Sequence, residues 1–452
     1  MKDNKLGIMP ISKLIWNMSL PIIVSMLVQA LYNIVDSVFV SQVSEQALTA
    51  VTLAFPAQNL MIGLATGTAV GVNALLGRAL GAGDGKRADQ VAINGIFLAV
   101  VGFVLSAVLA LCFGGTFFRT QTDIDYIVDN GITYLRICCC ASLGLFCEIM
   151  FERLLQGTGR SILSMYTQGL GAIVNIVLDP IFIFVFKMGV AGVATATVIS
   201  NFFSACMILY FLTHEEEMLR LDFRKLRIRW EYLLGIIKIG LPAGLQSMVF
   251  SLSNVVIQAA INSFGSDGIA GSTAEQNFEF MAYFVINAFA QTATTFTSQN
   301  FAAQDKERCK KIYRLCTFIG LASCLGLSLI FLIGRHLFIQ IFSTDENVIH
   351  YAMIRMWSVC LLELLTGVYE ISGGCLRGMG HSMTPAVITV LGTCVFRLVW
   401  VNTIYAAHRS YLMLMIVYPV SWVITGTAVT VAYFIIRRKE FAQIGKRRAD
   451  II

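Results

Sequence analysis

Two polar side chains stand one helical turn apart inside an otherwise apolar run, in Gly-Ala-Ile-Val-Asn175-Ile-Val-Leu-Asp179-Pro180-Ile-Phe-Ile-Phe. Spacing i, i+4 places Asn175 and Asp179 on one face of a helix. A charged group at that depth in a bilayer costs about 2.5–3.5 kcal/mol, so it is rarely idle. Pro180, lacking an N–H, is expected to loosen the backbone just beyond them. The first apolar segment carries a matching carboxylate, Asp36, with Asn33 and Gln29 at successive turns below it. Counting from the span ends brings Asp36, Asp179 and Thr197 to a similar depth. Two carboxylates, an amide oxygen and a hydroxyl are hard oxygen ligands, suited to Na⁺ or to a shared proton. The alternative is a structural hydrogen-bonded set that stitches helices together.

A second polar series occupies a later segment: Glu275, Glu279, Tyr283, Asn287, Gln291 and Thr295, each four residues from the last. Such a ladder drifts around the helix by about 40° per step, so not all six can face one cavity. Glu275, Glu279, Tyr283 and Asn287, together with Gln29, are the candidates for contacting a cationic substrate, with a loop-facing Glu275 as the alternative. Glu363 and Arg397 fall at similar depth and are expected to neutralise each other. Glu148, Glu152 and Glu370 are further acids within spans, Glu152 beside Arg153.

The elements that must position these groups are membrane helices. Of 452 residues, 57% are hydrophobic and 13% charged, far from the roughly 25% charged residues of soluble domains. Apolar runs of bilayer-spanning length recur, predicting an all-α polytopic membrane protein. Twelve spans can be drawn, about 14–40, 48–76, 91–113, 132–156, 162–187, 190–213, 233–262, 270–297, 312–341, 352–376, 385–406 and 410–436. Alternate connectors, counted from the N-terminus, carry 26 of the 33 basic residues, which predicts cytoplasmic termini and a plasma (inner) membrane location. Arg355 counts among the few basic residues of the opposite side. No cleavable leader is evident, since Met1–Lys13 is short and polar.

The chain also repeats itself at an offset of 221 residues: Pro21/Pro242, Asn33/Asn254, Leu155/Leu376, Gly157/Gly378, Gly159/Gly380 and Ser161/Ser382. The Gly-Ala-Gly-Asp-Gly-Lys86 loop aligns with Phe-Ala-Ala-Gln-Asp-Lys306 at 220. The repeat predicts two six-helix lobes of parallel topology, residues 1–213 and 233–436, around a central site. The charged segment 214–232 is the expected cytoplasmic linker and 437–452 the cytoplasmic tail. The chemistry is not repeated: Asp36, Asn175 and Asp179 correspond to Ile257, Phe396 and Trp400. Ion coupling is therefore assigned to the first lobe.

Other classes find little support. There is no GxxxxGK[ST], HExxH or GxSxG, so neither ATP nor hydrolytic chemistry is indicated and no cofactor is expected. The twelve cysteines include no CxxC or Cys/His ligand spacing and read as small buried thiols. No nucleic-acid partner is implied, because the net charge of +6 sits in short connectors.

Together these motifs resemble the multidrug and toxic compound extrusion (MATE) family of secondary transporters. The resemblance rests on Leu-Pro21 leading into Tyr32-Asn33-Ile-Val-Asp36, on Leu-Gln-Gly-Thr-Gly159-Arg160, on Asn175-Ile-Val-Leu-Asp179-Pro180, and on Leu-Arg377-Gly-Met-Gly380. The bacterial DinF-type branch is similar in carrying an Asp in span 1 and the Asn…Asp pair in span 5. The resemblance implies alternating-access export of small organic cations in exchange for H⁺ or Na⁺, with a cation site at Asp36, Asn175, Asp179 and Thr197, by a protein working as a monomer. Gln246 and Thr366 stand near the places where another bacterial branch carries membrane acids. A flippase for lipid-linked or polysaccharide precursors, or a non-transporting receptor or scaffold, is the rival reading.

Overall fold

In a bilayer every backbone polar group must be satisfied within the chain, which leaves helices as the economical solution for long apolar runs. The computed structural model describes residues 9–214, 221 and 227–449, all connected helices with no strand among them. Most of the 214–232 connector and the extreme termini lie outside the described residues. Ten helices are long and apolar enough to cross a membrane, and a bent pair makes an eleventh. The remaining long helix, Gly265–Ala302, is span 8; its polar ladder keeps it out of that set.

The spans are Ile11–Val43, Glu45–Gly81, Gly85–Arg119, the pair Asp125–Cys140 and Leu143–Gly157, Ser161–Val185 and Val190–His214 in the first half. The second half has Trp230–Asn262, Gly265–Ala302, Lys306–Ile333, Glu346–Gly378, Met383–Tyr405 and Tyr411–Ala449.

The repeat is written into the backbone. Span 4 runs from Asp125 to Gly157 with a 47° break after Cys140. Span 10 covers the equivalent Glu346–Gly378 and breaks at the same place, where Cys360–Leu362 tightens into a 3₁₀ turn. Left-handed residues recur too: Gly83 at φ 72° answers Gln304 at 61°, and Gly159 at 81° answers Gly380 at 88°. Asp84 caps the next helix through Arg87 N, and Asp305 does so through Arg308 N. That pairing sets the loop after span 2 at the common offset of 221, one residue from the 220 read in the sequence. Pro180 is followed by a π-helical stretch, Ile181–Val185, as its missing N–H predicts. Yet Val401–Tyr405 in span 11 is also π-helical without a proline, so the loosened backbone belongs to the position in the fold and Pro180 only favours it.

Two compact units emerge, and their seams fall inside helices. One comprises Leu20–Leu245; the other comprises Met9–Ser19 and Gln246 onward. In the first unit, span 2 crosses the start of span 7 through glycines. A Cβ on Gly67 would lie 2.6 Å from the Gly244 Cα, and one on Gly71 would lie 2.3 Å from the Ile236 carbonyl oxygen. Small residues at this crossing let the backbones approach closely, the main source of helix association where solvent is as apolar as the side chains. In the second unit the equivalent crossing pairs Ser19 with Thr292, hydroxyl to hydroxyl at 2.9 Å. Residues 19 and 292 are the repeat partners of Gly240 and Gly71.

Substituting Gly71→Leu is expected to lower stability by about 2–3 kcal/mol through overpacking, read as a lower melting temperature in detergent. Gly169→Ala, where an added Cβ meets nothing within 4 Å, should leave the melt unchanged or slightly raised.

Candidate functional site

Span 5 holds Asn175 and Asp179 with no exposed surface. Span 1 brings Asp36 within electrostatic and hydrogen-bonding reach of Asp179. No hydrogen bond of normal geometry satisfies these groups: Asp36 Oδ1, both Asp179 oxygens, and both Asn175 polar atoms have no partner. Among the described residues no basic side chain pairs with either carboxylate. Buried polar atoms left unsatisfied are costly, and several together need a specific account. The described residues hold no group of three or more His, Cys, Asp or Glu, so the site offers two carboxylates plus neutral oxygens, a donor set that suits a proton or Na⁺.

The other sequence candidates differ in burial and in the partners they already have. Thr197 is half-buried and its hydroxyl donates to the Val193 carbonyl at 3.0 Å; its oxygen lone pairs can still accept. Asn33 is exposed on the neighbouring turn. Gln29 lines a small polar cavity with Tyr32, Glu148 and Gln168, placing it beside span 4 as well as span 1. Two residues that sequence reading missed sit close to Asp36: Tyr134 and Cys138 of span 4. Gln58 of span 2 donates to the Tyr134 hydroxyl at 3.3 Å. Tyrosine and cysteine pass for ordinary core residues in an apolar run, so no local signal marked them.

The second unit answers with a buried ionic cluster. Glu275 has no exposed surface and Glu279 is 8% exposed, which excludes the loop-facing placement of Glu275. Arg355 Nε lies 2.7 Å from Glu275 Oε2, and Arg355 Nη2 lies 2.7 Å from Glu279 Oε2. Counting Arg355 among connector charges was an error: it is 1% exposed inside span 10. Both acids proposed to contact a cationic substrate are thus already matched by a cation of the protein itself. Arg397 donates to Ser421 and Asn254 at 3.3 and 3.2 Å and stacks 4.4 Å from the Tyr418 ring centre. The expected Glu363–Arg397 ion pair is not a contact pair: Glu363 Oε2 and Arg397 Nη2 are each without a hydrogen-bond partner, although the two interact at longer range. Tyr283 accepts from Asn287 at 3.2 Å, and Asn287 accepts from Gln291 at 2.6 Å, so the middle of the ladder satisfies itself.

Removing one side of a buried ion pair costs about 3–5 kcal/mol, whereas replacing all members by neutral groups is nearly neutral. Arg355→Met should therefore strongly reduce folded yield, and Glu275→Gln with Glu279→Gln in the same chain should restore it, as read by size-exclusion and thermal melts.

Comparison with known proteins bears on this arrangement. The sequence pattern of the MatE family matches residues 21–181 and again 242–402, the two halves of the repeat. The chain is 26% identical over 383 residues to the probable multidrug resistance protein YoeA of Bacillus subtilis, covering 82% of each chain. It is 24% identical over 396 residues to the probable multidrug resistance protein NorM of Thermotoga maritima, covering 86% of this chain and 84% of that one. The multidrug export protein MepA of Staphylococcus aureus is 23% identical, with 86% and 87% covered. Among solved structures, a MATE protein in complex with MaL6 superposes with a TM-score of 0.89 at 24% identity, covering 99% and 100%. A MOP superfamily transporter from Pyrococcus furiosus, described as having a binding pocket of reverse polarity, reaches the same TM-score at 24% identity over 98% and 99%. These superpositions agree with twelve helices in two repeats. With both halves matched, the chain belongs to the MatE family and is a membrane transporter, not an enzyme.

Proposed function

We propose that this protein is a multidrug efflux antiporter that exports small organic cations in exchange for H⁺ or Na⁺. The observation that carries this reading is the pairing of half-buried Asp36 with fully buried Asp179: Asp36 Oδ1, both Asp179 oxygens and both polar atoms of Asn175 lack hydrogen-bond partners. Two adjacent carboxylates in a low-dielectric site repel each other unless a positive charge joins them. A proton or Na⁺ bound there draws spans 1 and 5 together; its loss lets them separate. A ligand shifts a conformational equilibrium only through its differential affinity for the two states, and this pair supplies such a difference. The relatives' names, which describe multidrug resistance and export, support the class of cargo.

The acids of span 8 take a smaller part than the sequence suggested, because Arg355 already compensates Glu275 and Glu279. Gln29 and Tyr283 remain the better candidates for touching substrate. Thr197 is assigned as the hydroxyl ligand, its i−4 hydrogen bond leaving the oxygen free to accept. Asn33, one turn from Asp36, is assigned to the approach to the site. The protein is placed in the inner membrane as a monomer, with both termini cytoplasmic and no cofactor.

The test uses purified protein in lipid vesicles carrying ethidium, with H⁺ and Na⁺ gradients imposed separately. Asp36→Asn and Asp179→Asn should each reduce gradient-driven flux to the background of empty vesicles while leaving the melting temperature near that of the parent. Normal flux in both variants would sink the assignment.

A further inference from the structure

The first unit also holds a small recess with several polar groups in its wall that the coupling pair does not use. A cavity of about 30 Å³ is walled by Gln29 and Tyr32 of span 1, Glu148 of span 4, Gln168 of span 5, and Asn201 and Ser204 of span 6. That volume accommodates one water molecule with several polar partners. Glu148 is 7% exposed, and no lysine, arginine or histidine is among the groups that act on it. The polar and charged groups facing it are Tyr32 from span 1, Ser204 from span 6, and Glu152 one turn along its own helix. Gln168 of span 5 borders the same space.

This recess lies within a series of polar groups that runs along the unit. On one side, Tyr32 shares the recess with Glu148 and stands one helical turn before Asp36 on span 1, and Asp36 adjoins Asp179. On the other, Gln168 donates to Glu152 Oε2 at 3.3 Å, while Gln156 and Ser164 donate to Oε1 at 2.8 and 3.0 Å. Glu152 stands near the Gly157 end of span 4, whereas Asp36 stands near the far end of span 1. The file therefore leads from one end of the helices toward the other, inside a single unit. A run of alternating carboxyl, hydroxyl and amide groups in an apolar span is the arrangement expected of a proton relay.

We propose that Glu148 is a proton carrier on this file, linking the Asp36–Asp179 pair to the membrane side at which span 4 ends. The proposal rests on the transport reading above and specifies one of its ions. In the step envisaged, the O–H bond of protonated Asp36 breaks as its proton joins the Tyr32 oxygen. Tyr32 releases its own hydroxyl proton, directly or through a water in the cavity, to the Glu148 carboxylate. Asp36 ends as a carboxylate, Glu148 as a carboxylic acid and Tyr32 neutral, with one proton moved. Glu148 then passes the proton toward Glu152 and the aqueous phase. A tyrosine hydroxyl between two carboxylates passes protons but offers no passage to Na⁺, so the file commits this leg to H⁺.

The test follows proton counterflow with pyranine trapped in ethidium-exchanging vesicles, for the full chain and for Glu148→Gln and Glu148→Asp. Glu148→Gln should slow proton-driven exchange by about tenfold or more, in the range usual for loss of one proton-transfer group. Ethidium binding at equilibrium should stay within about twofold of the parent, and Glu148→Asp should recover part of the rate. Infrared difference spectra between acid and neutral pH should lose a carboxylic C=O band in Glu148→Gln. Parental exchange rates in Glu148→Gln would overturn the relay, as would exchange driven by Na⁺ alone in the parent. So would equal loss of binding and thermal stability in both variants, the mark of a purely structural residue. If Glu148→Gln is normal in vesicles where Asp36→Asn is inactive, only the relay fails. If Asp36→Asn is also normal, the transport reading fails with it.

Discussion

Two adjacent carboxylates with no basic partner among the described residues are the constraint on which the first unit depends. Asp36 and Asp179 cannot both stay charged, dry and adjacent at little cost. In the second unit the same physics has the opposite outcome. Glu275 and Glu279 stand one turn apart on span 8, but Arg355 bridges them and Tyr418 is stacked by Arg397, so that cluster carries its own neutralising charges. One fold, duplicated, thus holds one acidic pair with no basic partner among the described residues and one with a permanent cation of its own. The second ties span 8 to span 10 through Arg355 and sets Arg397 of span 11 against Tyr418 of span 12.

Much of this was legible in the sequence because membrane solvation leaves a coarse but strong imprint. Apolar length, the 221-residue repeat and the lone polar pair at Asn175 and Asp179 follow from rules that act residue by residue along the chain. The left-handed Gly159 and Gly380 sit at the 221 offset read from the sequence, whereas the capping Asp84 and Asp305 show that the loop after span 2, aligned there at 220, keeps 221 as well. Arg355 escaped because basic residues near a span end are normally counted as connectors. Only its contacts with Glu275 and Glu279, 76 or more residues away along the chain, reveal it as an interior charge. Tyr134 and Cys138 were missed for a related reason: their chemistry depends on what faces them across a helix interface, and nothing in their own neighbourhood records it.

The repeat also shows which features are architectural and which are particular to one half. Broken spans 4 and 10 and the π-helical stretches of spans 5 and 11 appear twice, so they belong to the fold. The glycine crossing of spans 2 and 7 has a counterpart in which Ser19 and Thr292 are hydrogen-bonded. Close backbone approach and a hydroxyl pair are alternative ways to hold two helices in lipid. The acids, by contrast, appear once each, and so does the polar file through Glu148.

The placement of the unit seams inside spans 1 and 7 has a consequence for how the chain is made. Residues Met9–Ser19 are synthesised before Leu20–Leu245, yet they are counted with the unit that resumes at Gln246. Their partner Thr292 is synthesised 273 residues after Ser19. The opening segment must therefore wait, inserted but undocked, while more than half of the protein is translated. The first unit likewise stays incomplete until Trp230–Leu245 of span 7 arrives. Biogenesis of this protein is an interleaved assembly in which neither half can finish before the other has begun.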